Sequence, residues 1–136
     1  GIRCHGMARR ALRSIQEYLQ DYPSELGKFS PSLGAFIGEL EALRSLTYFG
    51  AWKADQGVDV RFEAASVKLF GTELLHRVIE FALEVVGPPA LRKKHHLARF
   101  FRHARATRIV EGASEVQRHI IQRALFREGI SCLELM

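Results

Sequence analysis

Apolar residues recur along the chain at three- and four-residue steps, the mark of helices that bury one face, and no segment carries convincing strand alternation. Ala8, Ala11, Leu12, Ile15, Tyr18, Leu19 and Tyr22 line one face of a first helix, which Pro23 and region 27–31 interrupt. Phe36, Ile37, Leu40, Leu43, Thr47 and Gly50 continue the pattern in a second helix. Ser30 is its expected cap, Pro31 its first residue, and Gly57 marks its end. A third helix over about 60–86 places Val67, Leu74, Leu75, Val78, Phe81, Ala82 and Val85 on one side. Gly87 can take a positive φ and Pro88-Pro89 cannot continue a helix, so it stops there. A shorter helix over about 91–102, a connector over about 104–113 and a last helix over about 115–127 follow. Ser114 has capping-box spacing and would satisfy the amide of Gln117. Three long and two shorter helices joined by brief loops predict an all-α fold, an antiparallel up-down four-helix bundle with an additional short helix.

The length of 136 residues suits a single helical domain with a real core and is too short for two. With 47% hydrophobic and 26% charged residues, the composition is that of a globular chain and excludes a disordered tail. No stretch approaches the ~20 apolar residues of a membrane span, and the N-terminus lacks the apolar run of a secretory signal. Cys4 and Cys132 stand near opposite ends, so a disulfide framework is not expected. The default is then a soluble chain in a reducing compartment, the cytoplasm or, in a eukaryote, the mitochondrial matrix.

Charge adds one feature. The net charge is +5, and Arg92, Lys93, Lys94, Arg99, Arg102, Arg105 and Arg108 follow one another with no acid among them. Such a run can bind the phosphates of nucleic acid, a nucleotide cofactor or coenzyme A. It can equally be a solvated face that meets acids elsewhere in an oligomer. Phe100 and Phe101 do not interleave with it as in a nucleic-acid module, so nucleic acid is not an expected partner. His95, His96 and His103 could share a helix face, but no carboxylate or cysteine joins them, and no metal site is expected. Cys4 and His5 are read as part of a mobile end, and Tyr48, Phe49 and Trp52 as core or interface.

The run from Arg102 to Arg118, R-H-A-R-A-T-R-I-V-E-G-A-S-E-V-Q-R, resembles the signature of the acyl-CoA dehydrogenase family, roughly R-D-A-x-x-x-x-I-Y-E-G-T-x-E-I-Q-R. Glu39-Leu40-Glu41-Ala42-Leu43-Arg44, Asp55-Gln56-Gly57 and Ala64-Ala65-Ser66-Val67-Lys68 fit upstream pieces of the same pattern. The resemblance covers residues from about Gly6 to Phe126 and implies the C-terminal third of such an enzyme. The family's N-terminal helical domain and middle β-domain would lie outside this chain.

The resemblance implies FAD-dependent α,β-dehydrogenation of an acyl-CoA thioester. A carboxylate takes the α-proton, and the β-hydrogen leaves as hydride to the flavin. The glutamate of the E-G-T motif corresponds to Glu111, whose backbone amide would also donate to the thioester oxygen. Taken without the family, Glu111 would read as a loop acid pairing with Arg102, Arg105 or Arg108. Its neighbours Ile109 and Val110 would desolvate it and raise its pKa toward that of a useful base. Gly112 lets the backbone approach a ligand, and Val110, where the family has tyrosine, leaves room for a bulky or branched acyl group. Further partners implied are electron-transfer flavoprotein or a similar acceptor and, through self-association, a homo-oligomer (dimer or tetramer).

The flavin contacts implied by the family fall on Glu84, Gly87, Ala113 and Glu115, and several are altered. The R-x-x-F-G stretch reads Asp21-Tyr22-Pro23-Ser24-Glu25-Leu26-Gly27, with no arginine and with leucine in place of phenylalanine. Q-x-x-G-G becomes Glu84-Val85-Val86-Gly87-Pro88, and the threonine of E-G-T becomes Ala113, while Glu115 is kept. An anionic Glu84 would repel a pyrophosphate, and proline removes a donor. The chain by itself is therefore expected to bind FAD weakly or not at all. A non-catalytic helical assembly domain, or a degenerate subunit of a mixed complex, is the alternative reading.

Overall fold

The computed structural model describes residues 1–128. Five α-helices follow in chain order: α1 (Ile2–Asp21), α2 (Leu26–Asp55), α3 (Arg61–Val86), α4 (His96–Thr107) and α5 (Ser114–Glu128). Single 3₁₀ turns at Pro23–Glu25 and Pro88–Leu91 join α1 to α2 and lead from α3 toward α4. No strand occurs among the described residues, and no described helix is long and apolar enough to cross a membrane. This is the expected all-α up-down bundle with α4 as its short extra helix.

The longest runs of apolar positions put α3 at the centre, packed against α1, α2, α4 and α5. Leu74, Leu75, Val78 and Ile79 are fully buried, each contributing about 1.5–3 kcal/mol of transfer free energy. From α1 come Ala8, Ala11, Ile15 and Leu19, from α2 Leu40 and Leu43, and from α4 Leu97 and Ala104. Small residues allow close approach: a Cβ on Gly71 of α3 would lie 3.2 Å from Leu43 Cδ1. Phe81 is half-buried, edge-on to Phe29 (5.9 Å between centroids) and tilted against Phe36 (5.2 Å).

Element ends depart from expectation in four places. Helix α1 begins at Ile2, and Cys4 and His5 are buried in it, so this end is packed and not mobile. Helix α2 begins at Leu26, with Pro31 inside it and Ser30 making no cap. Burial of Phe29 against Phe81 anchors those first turns, outweighing the one backbone bond that proline forfeits. The segment after α3 first makes a 3₁₀ turn, and α4 then starts at His96 and runs to Thr107, displaced toward the C-terminus of its expected range. The Ser114 hydroxyl does not receive the Gln117 amide, which bonds to Ala113 O instead. The ends at Gly57 (φ 74°) and Gly87 (φ 70°, ψ −153°) are as expected. Gly87 must be extended before a proline while keeping positive φ, which only glycine tolerates cheaply. Cys132 lies outside the described residues.

His95 and His96 have structural partners. The Leu97 amide donates to His95 Nδ1 at the start of α4, and His96 Nε2 meets Ser14 Oγ of α1 at 2.7 Å. Tyr48, Phe49 and Trp52 lie exposed along the solvent side of α2, Phe49 stacked on Trp52 at 6.0 Å.

Candidate functional site

The connector between α4 and α5, residues 108–113, carries the E-G pair. Glu111 sits there at φ 58°, the one non-glycine residue with positive φ among the described residues, and Gly112 follows at φ 92°. Left-handed backbone costs an L-residue about 1–2 kcal/mol, so the conformation persists because its surroundings hold it.

Four contacts do so. Lys68 of α3 donates from Nζ to Thr107 O at 2.5 Å, a cation at the C-terminal end of α4. Glu73, one and a half turns further along α3, takes Arg108 Nε on Oε1 (3.1 Å) and the second guanidinium nitrogen on Oε2 (2.9 Å). The same Oε1 accepts the Ser114 hydroxyl at 2.7 Å. One carboxylate thus grips both ends of the connector. The buried Gln117 donates from Nε2 to Gly112 O at 3.3 Å. A Cβ on Gly112 would come within 2.4 Å of that nitrogen and oblige the Gln117 side chain to move, while the φ of 92° is what favours glycine here. Partial burial pushes the Glu73 carboxyl upward, but the Ser114 hydrogen bond and the Arg108 guanidinium, with Arg118 further off, hold it below the usual carboxylate range.

The Glu111 side chain is exposed, and among the described residues it has no hydrogen bond or ion pair. The arginine partners expected for a loop acid are otherwise disposed: Arg108 binds Glu73, while Arg102 and Arg105 are exposed. The desolvation expected from Ile109 and Val110 is also missing among the described residues. Both are exposed, Val110 by 52%, because the connector turns them outward from the bundle. The Glu111 and Gly112 amides likewise make no backbone hydrogen bond among the described residues.

Glu111 stands at one wall of a cleft of about 760 Å³ between the start of α3 and α5. Phe62, Ala65, Ile120 and Ala124 give it apolar lining, and Lys68 and Arg123 bring positive charge. The volume lies within the range of small-molecule sites. Lys53 and the buried Glu63 close its far side with an ion pair of 2.5 Å. A second groove of about 850 Å³, between α1 and α2, contains none of the expected site residues.

The structure gathers Val110, Glu111, Gly112, Ala113 and Glu115 at one place and leaves Glu84 and Gly87 at another. Glu73 touches Ser114, and Glu84 lies 11 helical residues beyond it, about 16 Å along the axis. The end of α3 has little to offer a pyrophosphate. The Gly87 amide is spent on Leu83 O, Pro88 and Pro89 have none, and the Ala90 amide bonds to Gly87 O. Glu84 is exposed at the negative end of the helix dipole, with no basic residue in the last turn. Glu115 is exposed, 3.9 Å from Arg118.

Glu73 escaped the sequence reading, and Lys68 and Gln117 were visible there only as members of motifs. Glu73 acts across 35 and 41 residues of sequence, a separation at which no local pattern speaks. Its one signal is an acid bordering the buried Leu74 and Leu75.

A family model described as "Acyl-CoA dehydrogenase, C-terminal domain" matches residues 1–126. The chain is 44% identical over 92 residues to (R)-benzylsuccinyl-CoA dehydrogenase of Thauera aromatica, covering 67% of this chain and 23% of that protein. It is 29% identical over 129 residues to (2S)-methylsuccinyl-CoA dehydrogenase of Cereibacter sphaeroides, covering 90% and 24%. Among solved structures, butyryl-CoA dehydrogenase of Megasphaera elsdenii superposes with a TM-score of 0.85 at 28% identity, covering 91% of this chain and 34% of that one. The chain thus spans about a quarter of the length of the curated relatives it matches. With residues 1–126 accounted for by one family model, the chain belongs to the acyl-CoA dehydrogenase family, matching its C-terminal domain.

Proposed function

We propose that this chain supplies the catalytic base, Glu111, for FAD-dependent α,β-dehydrogenation of an acyl-CoA thioester in a complete protein that also holds the flavin. The observation that carries this reading is an exposed carboxylate at the wall of a cleft, without a partner among the described residues, on a left-handed backbone whose connector is pinned by Lys68, Glu73 and Gln117. In the proposed step the Glu111 carboxylate removes the α-proton, the C–H electron pair moves into the thioester as enolate, and the carboxylate becomes a carboxylic acid. The Glu111 amide, without a backbone partner among the described residues, suits the developing oxyanion, because a fixed dipole aimed at new charge needs no reorganisation. The flavin, when bound in the complete protein, supplies the acceptor for the β-hydrogen, and no part of that transfer is assigned to residues of this chain. Closure of further protein over Ile109 and Val110 would provide the desolvation that a working base needs.

The substrate class we favour is a thioester of a substituted succinate, as in the names of the two curated relatives. Val110 beside the base is consistent with a branched acyl group. The test compares turnover of the complete flavin-loaded protein on substituted succinyl-CoA and on straight-chain acyl-CoA of similar length. Preference for the succinyl thioesters supports the assignment, and preference for straight chains removes it. A helical assembly domain without catalysis is the second reading. It is favoured by the lack of anion donors at the end of α3 and by the exposed Tyr48, Phe49 and Trp52.

A further inference from the structure

We infer that Glu73 is a positioning residue for the reaction: its carboxylate, bound at once to Arg108 and Ser114, sets the placement of Glu111 between them. The inference rests on Glu111 being the base. Arg108 and Ser114 each stand three residues from Glu111, one before it and one after, so fixing both leaves the connector few ways to run. Both Glu73 oxygens are used: Oε1 accepts two hydrogen bonds, of 2.7 and 3.1 Å, and Oε2 pairs with the Arg108 guanidinium at 2.9 Å. Glu73 itself sits on the central helix between Thr72 and Leu74, both buried, so its own position is set by the core. Charge-assisted bonds of this kind are about twice as strong as neutral ones, and the Glu73 carboxyl is held in its ionised form by the same partners. Lys68 and Gln117 fix the carbonyls of Thr107 and Gly112 but touch the connector at one point each. Glu73 alone among these spans it.

A positioning role and a purely structural role predict different things. If Glu73 only stabilised the bundle, the folded fraction of a variant would turn over normally. If it places the base, each folded molecule should react more slowly while still binding substrate. A displacement of about 1 Å at a reacting group can cost a hundredfold.

The experiment measures kcat and KM of the complete flavin-loaded protein for Glu73→Gln and Ser114→Ala. Amide hydrogen exchange across residues 108–114 is followed in the same proteins. Glu73→Gln is expected to lower kcat by about a hundredfold, to leave KM within about twofold, and to speed exchange in the connector selectively. Ser114→Ala, which keeps the Arg108 pair, should show the same pattern at about a tenth of the size in kcat. Should Glu73→Gln fail to fold, Ser114→Ala decides alone. Unchanged kcat in the folded variants overturns the inference, as does a fall in kcat without faster connector exchange. Glu111→Gln is run alongside. If it retains turnover, the base assignment fails, and if it is inactive while Glu73→Gln is fully active, only the positioning role fails.

Discussion

Glu111 occupies a left-handed conformation, 58° in φ, that glycine would adopt without strain. The side chain gives nothing back locally, being exposed and without a partner among the described residues. Strain retained at a residue with no structural return is what a functional site looks like from the side of stability. Replacing Glu111 by Gly should therefore raise the unfolding free energy by about 1 kcal/mol in urea denaturation of the chain. A loss of stability of that size would mean that the carboxylate makes a supporting contact and that the strain argument is wrong.

Helix α4 is the element least determined by its own sequence. It is short, starts five residues later than its pattern suggests, and is docked by His96 against Ser14 of α1. Burial, then the neighbouring His95 and Arg10, push the His96 imidazole below the ordinary histidine range. A folded-state pKa below the unfolded one means the folded chain binds fewer protons. The contribution is thus complete above the unfolded value of about 6.5 and is lost as pH falls through the folded one. The melting temperature should fall from pH 7 to pH 5 by more in the parent than in His96→Gln, read by circular dichroism. An equal fall in both would take His96 out of the account. The long helices were legible because their buried stripes repeat over several turns, as Leu74, Leu75, Val78 and Val85 do in α3. The start of α2 was not, since the burial of Phe29 against Phe81 overrides a proline stop that local chemistry suggests. For the site, the E-G motif marked Glu111 and Gly112, yet the carboxylate that grips their connector is set by a contact across 41 residues.

For the molecule as a whole, the exposed face of α2 and the reach of the site point beyond a single copy of this chain. Leu26, Ile37 and Tyr48 recur at 11-residue spacing, three helical turns, and are all exposed; Phe49 and Trp52 extend that apolar surface. Sedimentation at micromolar concentration should show a dimer or tetramer, and a monomer alone would contradict the self-association reading. With the end of α3 poor in donors for an anion, this chain alone should bind FAD weakly or not at all and purify colourless. Glu84→Gln should strengthen any residual binding, and tight stoichiometric binding in a fluorescence titration would show a flavin site of another design. The account stands or falls on Glu111. In the complete flavin-loaded protein in D₂O, the parent should exchange the α-proton of a bound acyl-CoA that cannot be oxidised further. Glu111→Gln should abolish that exchange with folding little changed; exchange retained in Glu111→Gln would contradict the assignment of the base.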